Sequence, residues 1–219
     1  RSTLTDKWVF KHQAVDEHNM IRFGDCFHAS IVIATLLNSA FILTKEQVTE
    51  KKIEQDIIRK AAAPKQLRRK IEEYIIFPYH YSETGLVHYS ESAFTQSFPN
   101  ATLHLNEYRE SLNSRDKDKS AQWFEYGRSQ ALAHLNQQKL LLSTVITDSV
   151  EVYLLDANTI PYSGIFITVK DEKYTLENAR RVLQSQDFLS YVRSLGISVS
   201  GKSKRITCKD INNFKFVKR

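Results

Sequence analysis

"FHASIVIATLLNSAFIL", Phe27 to Leu43, holds two apolar runs, Ile31–Ile33 and Ala40–Leu43, around Thr35 and Asn38. Both runs are short and rich in β-branched or aromatic residues. The stretch therefore predicts two strands joined by a turn at Leu37-Asn38.

Working outward, "TKEQVTEKKIEQDIIRKAA" (Thr44 to Ala62) predicts a helix. Thr44 and Gln47 have capping-box spacing, and Val48, Ile53, Ile57 and Ala61 make a stripe that Pro64 ends. "EEYIIFPY" (Glu72 to Tyr79) predicts a buried strand stopped by Pro78, and a helix begins near Pro99-Asn100 with Leu105, Tyr108 and Leu112 on one side. Strands are predicted over 139–146, 150–155 and 164–169. Two helices follow, one capped by Thr175 with Leu176, Ala179, Val182 and Leu183 as its apolar face, the other capped by Asp187 and stopped at Gly196. Hairpins, one long connection and paired helices make the fold class α+β, a mixed or antiparallel sheet with flanking helices, and not a repeating βαβ sheet.

The 219 residues are 42% hydrophobic, enough for a real core. No apolar run approaches the roughly 20 residues of a membrane span. Two distant cysteines, Cys26 and Cys208, make no disulfide framework, so a reducing cytoplasm is the expected setting. The net charge of +6 resides entirely in 201–219, where seven Lys/Arg face one Asp, and the first 200 residues balance. A second cluster, "RKAAAPKQLRRK" (Arg59 to Lys70), has six cations and no acid. Such clusters are the footprint of a polyanion-binding surface, or a solvated charged face.

Catalytic motifs are missing. The six glycines form no Gly-x-Gly loop, and the seven histidines lack zinc-ligand spacing. Asp148, Glu151 and Asp156 are the acids a metal nuclease would want, although ordinary strand-end acids read the same way. In "IIFPY", Phe77 stands where the Asn of an amino-methyltransferase loop would have to hydrogen-bond the amino group.

"QWFEYGRSQAL" (Gln122 to Leu132) gathers Trp123, Phe124, Tyr126, Gly127 and Arg128 after the charge run "RDKDK" (Arg115 to Lys119). On a helix Trp123 and Tyr126 would share a face, a core arrangement. Arg128 after Gly127 is a candidate for a guanine edge or a phosphate, or for an ion pair with a neighbouring acid. Ser200-Gly201 predicts a turn presenting Lys202, Lys204 and Arg205. Lys65, Arg68 and Arg69 are candidate phosphate contacts, and Thr35, Leu36 and Asn38 are candidates to reach bases, Asn38 being otherwise a turn former.

The order "FGDCFHASIVIATLLNSAFIL", "YIIFPYHY", "FPNATLHLNEYRESL", "WFEYGRSQAL", "SGIFITV" and "GISVSGKSKRITCKDINNFKF" resembles the C-terminal target-recognition domain of adenine-specific DNA methyltransferases from type II restriction–modification systems, the TaqI-like group. The resemblance spans nearly all of 1–219. It implies a fragment of a longer bacterial or archaeal chain, which starts here at Arg1. An N-terminal domain would hold S-adenosylmethionine and the catalytic loop, sometimes with an endonuclease, and this chain would read double-stranded DNA while the adenine is flipped. The fragment itself would carry no cofactor and no catalysis. Two positions depart from the family's pattern: Val32 replaces a glycine of Gly-Ile-Ala-Thr, and Lys202-Ser203 replace the Gly-Tyr of Ser-Gly-Gly-Tyr. The alternative is a structural module that docks a catalytic domain or partner subunit, marked by an apolar exposed face on 44–62.

Overall fold

The run "GIFITV" becomes a strand with a different hydrophobic core on each face. The computed structural model describes residues 19–195 and 197–218. Its first half runs β1 (Met20–Arg22), α1 (Phe23–Cys26), β2 (Phe27–Ile31), α2 (Asn38–Phe41), β3 (Ile42–Leu43), α3 (Lys45–Glu50), β4 (Ile58–Ala62), α4 (Pro64–Arg68) and β5 (Glu73–Ile76). The hairpin β6 (Tyr79–Ser82) and β7 (Gly85–His88) follows, then α5 (Glu91–Ser97), α6 (Pro99–Asn106) and α7 (Arg109–Ser114). The second half runs β8 (Lys139–Leu142), β9 (Val145–Ile146), β10 (Val152–Leu155), β11 (Ile160–Pro161), β12 (Ile165–Val169), α8 (Leu176–Leu183), α9 (Gln186–Ser194), β13 (Lys204–Arg205), α10 (Cys208–Asn213) and β14 (Lys215–Val217). The architecture is α+β.

Two four-stranded sheets organise it, β10-β8-β12-β2 and β11-β4-β5-β3. The first is antiparallel throughout, and the second is mixed because β11 runs parallel to β4. Side chains alternate across β12 with period two. Ile165 and Ile167 enter a core shared with α8, α9 and α10, whereas Phe166 enters an aromatic core with Phe41, Phe77, Tyr79, Phe94, Phe124 and Tyr126. A third small cluster, Ala62, Leu141 and Leu155, lies where the two sheets meet, with Val32 and Leu67 packed against it.

This partition overturns the expected hairpin in 27–43. Phe27 and Ala29 belong to one core and Ile33, Phe41 and Leu43 to the other, so the chain crosses between sheets. β2 pairs with β12, and β3 pairs with β5. The helix expected over 44–62 is also shortened. Its cap forms as expected, with Thr44 Oγ1 accepting from Gln47 N (3.3 Å) and Gln47 Oε1 accepting from Thr44 N (2.9 Å). The helix stops at Glu50, and Ile58–Ala62 become a strand because β5 offers Ile58 and Arg59 a ladder opposite Ile76 and Ile75. Pro64 opens α4 instead of ending a helix, the first-turn position where its missing N–H costs nothing.

Other expectations hold in outline. β5 ends before Pro78, and the helix from Pro99 places Leu105 and Leu112 in the core, although it breaks at Glu107-Tyr108 and resumes as α7. The strand expected over 139–146 divides at Ser143-Thr144 into β8 and β9. Thr175 caps α8, but α9 is capped by Ser185, whose Oγ accepts from Phe188 N (3.1 Å), and not by Asp187. Gly196, the expected stop, lies outside the described residues. Among those residues no helix is long and apolar enough to cross a membrane.

Candidate nucleic-acid interface

The two basic segments read from the sequence meet at one loop, residues 143–151. On one side stands α4. Lys65, Arg68 and Arg69 are exposed on its surface, while Pro64 is buried beneath. Arg68 Nε donates to Glu151 Oε2 at 2.8 Å, and the Tyr153 hydroxyl donates to the same oxygen at 2.5 Å. These two donors hold the Glu151 carboxyl below its usual range. Between α4 and the loop lies a cavity of about 140 Å³, walled by Pro64, Arg68, Ser143, Thr147, Asp148 and Glu151.

On the other side stands a hairpin over 197–205. Val199 N donates to Ser203 O (3.0 Å), Arg205 N donates to Ile197 O (3.1 Å), and Gly201 turns the tip at φ +52°. That φ favours glycine, and the space around it is open. β13 pairs with β9 through Lys204 opposite Ile146 and Arg205 opposite Val145. Ile206, 1% exposed, anchors the hairpin in the helical core. Lys202 and Arg205 are exposed, and no carboxylate among the described residues pairs with them; Lys204 Nζ donates to Ser198 Oγ (3.0 Å). A hydroxyl pair, Thr147 Oγ1 and Ser203 Oγ at 2.9 Å, ties the tip to the loop.

Thr35, Leu36, Asn38 and Arg128 form a separate group. Ala34 and Arg128 exchange backbone hydrogen bonds of 3.1 and 2.9 Å. The Arg128 side chain reaches Asp116 Oδ2 at 3.0 Å and remains half exposed. Thr35 is 1% exposed, so it is not presented to an incoming base. Its hydroxyl donates to Asn38 Oδ1 (2.5 Å) and accepts from Leu37 N (3.2 Å), which bends the chain into α2. Asn38 is exposed, and through that bond it acts as the turn former.

Sequence reasoning missed the brace beneath this group. Arg115, read as part of a solvated charge run, donates to four backbone carbonyls: Leu112 (3.0 Å), Trp123 (2.8 Å), Glu125 (3.0 Å) and Thr35. Burial lowers its pKa. The segment Trp123–Arg128 is a series of turns, and Trp123, Phe124 and Tyr126 are all core, the arrangement expected of these aromatics. Tyr79 is core too; its hydroxyl accepts from Tyr126 N at 2.9 Å. Nothing in the local pattern marks Arg115, because its acceptors come from three separate segments. The role of Glu151 as partner to Arg68 was equally hidden, since 83 residues separate them.

Asp148, Glu151 and Asp156 do not make a nuclease centre. Asp148 and Glu151 line the loop cavity, but Asp156 lies beyond the far end of β10, accepting from Thr159 N (2.7 Å) and Oγ1 (2.8 Å). Among the described residues no three His, Cys, Asp or Glu side chains gather as a metal site would require.

No family model matches this sequence, and no curated protein matches it either. The fold is similar to part of MmeI, a Type IIL restriction–modification enzyme whose structure was solved in complex with DNA. The TM-score is 0.61 at 11% identity, and the match covers 85% of this chain and 24% of that one. At that identity the likeness is one of fold, the α+β architecture of a segment about a quarter as long as the enzyme that contains it.

Proposed function

We propose that this chain is a double-stranded DNA recognition module of a restriction–modification enzyme. The observation that carries the reading is that α4, with Lys65, Arg68 and the following Arg69, is tied to residues 143–151 through Arg68 and Glu151, and the hairpin of Lys202, Lys204 and Arg205 through Ser203 and β13. Two cationic segments far apart in sequence, brought to one polar loop, suit a phosphate backbone, with phosphate contacts fixing register and neighbouring groups reading bases. The fold likeness to an enzyme solved with DNA supports the same reading.

At finer grain, the sequence order proposes the specificity domain of a TaqI-like adenine methyltransferase. In that reading a separate catalytic domain of the parent chain holds S-adenosylmethionine and supplies the methyl group. The residues described here position duplex DNA against that domain.

The docking-module alternative called for an apolar exposed face on 44–62. α3 instead turns Lys45, Glu46, Gln47, Thr49 and Glu50 to solvent and buries Val48, which leaves that alternative without its marker. Fluorescence anisotropy of this chain against a pool of short duplexes across a salt series tests the proposal. The expected result is affinity that falls steeply with salt and differs between sequences. Negligible binding to every duplex at low salt sinks it.

A further inference from the structure

Three non-glycine residues of the described chain have positive φ: Leu36 (+56°), Lys52 (+52°) and Lys70 (+56°). Lys52 and Lys70 each follow the last residue of a helical turn, where the left-handed conformation is a common ending. Leu36 follows no helix. A branched apolar residue is held there in a conformation it disfavours, and its side chain remains 41% exposed.

The surroundings over-determine that posture. The Thr35 carbonyl is gripped by Arg115 and also accepts from Gly127 N, and the Thr35 hydroxyl fixes Leu37 and Asn38. Gly127 leaves the room in which the leucine stands, since a Cβ at that position would lie 2.4 Å from Leu36 Cδ1. Asn38 and Ser39 are exposed beside it, and Arg128, joined to Ala34 through the backbone, pairs its guanidinium with Asp116. A stiff backbone thus holds Leu36 at the surface, resting on Gly127, with polar groups on its Asn38 side and the exposed Ile31 beyond Ala34.

We infer that Leu36 is a wedge that enters the base stack of bound duplex DNA and unstacks one step. The inference rests on the DNA-recognition reading and deepens it by assigning a mechanical role to one residue. Apolar side chains that part base steps work in this way: the unstacking cost is repaid by the contacts the distorted duplex makes, and a rigid mount keeps the side chain from folding away.

The test uses a duplex enriched from a random pool by the wild-type chain, with 2-aminopurine placed at successive positions. The wild type is expected to brighten the probe at one step. Leu36→Gly suits the left-handed backbone, so it should fold at least as well as wild type in a thermal melt. It should lose the brightening and bind the intact duplex about tenfold more weakly, the equivalent of ~1.4 kcal/mol. On a duplex carrying an abasic site at that step, already unstacked, the two proteins should bind alike. Brightening that persists in Leu36→Gly overturns the wedge, as does an equal loss of affinity on intact and abasic DNA, which would make Leu36 an ordinary surface contact. A wild type that binds no duplex at low salt removes the recognition reading itself, and the wedge with it.

Discussion

The loop over 34–38 and the hairpin over 197–205 both carry residues proposed to meet DNA, and they are held in opposite ways. The loop is braced from below by a guanidinium on four carbonyls and closed by its own threonine and asparagine. The hairpin tip is held by its own backbone bonds, one hydroxyl pair and Gly201, with Lys202 exposed on it and Lys204 and Arg205 behind it in the ladder with β9. A braced loop has little ordering cost left at binding, so it suits contacts that depend on geometry. Cations at and just behind an exposed turn suit the long-range attraction of a polyanion, which tolerates movement. Rigidity and charge have thus been placed in different parts of the surface.

The sharpest way to break this contrast is to remove the brace. Arg115→Ala strands several partly buried carbonyls and should cost about 3 kcal/mol of stability, a donor to charged-type bonds being worth ~1.5–3 kcal/mol in context. Chemical denaturation measures it, and a loss below ~1 kcal/mol would mean the loop is not held from Arg115. The next largest effect belongs to the hairpin. Neutralising Lys202, Lys204 and Arg205 together should reduce the salt slope of duplex binding by about three and leave stability within ~0.5 kcal/mol. An unchanged slope would place the phosphate contacts elsewhere.

Acid should act on the loop and spare the hairpin. His104, buried under α2, donates its Nε2–H to the Ala40 carbonyl at 3.0 Å, and burial holds its pKa below 6.5. Below pH 6.5 the unfolded chain binds a proton that the folded chain resists, so stability falls as pH falls, by at most about 1.4 kcal/mol per pH unit. His104→Gln should flatten that part of the pH profile; a profile identical to wild type would assign the acid sensitivity to other groups. The smallest effect is at Arg68. Its ion pair with Glu151 is exposed, so Arg68→Ala should shift stability by less than ~1 kcal/mol while still weakening duplex binding, as paired titrations and melts would show.

Local chemistry was legible in the sequence where it is local in space. Thr44 and Thr175 announce their helices because the cap acts within three residues. The extent of the first helix was not legible, since Val48, Ile53 and Ile57 are buried in the structure whether the chain coils or extends, and the choice was made by β5. The two basic clusters stand out in composition, but their meeting at 143–151 depends on the pairing of β9 with β13 and on one ion pair across the fold. Arg115 left no trace, because backbone carbonyls have no sequence signature.

The shared strand also sets an order of events for the growing chain. Among the described residues β2 sits at one edge of its sheet and its ladder partner is β12, with Ile31 opposite Ile165, about 130 residues later. Nearly everything in the aromatic core is synthesised between the two. As the polypeptide emerges, β2 must wait, unpaired, until that whole excursion has been made and β12 arrives. Phe166, arriving with it, then closes the aromatic side in the same event that completes the sheet.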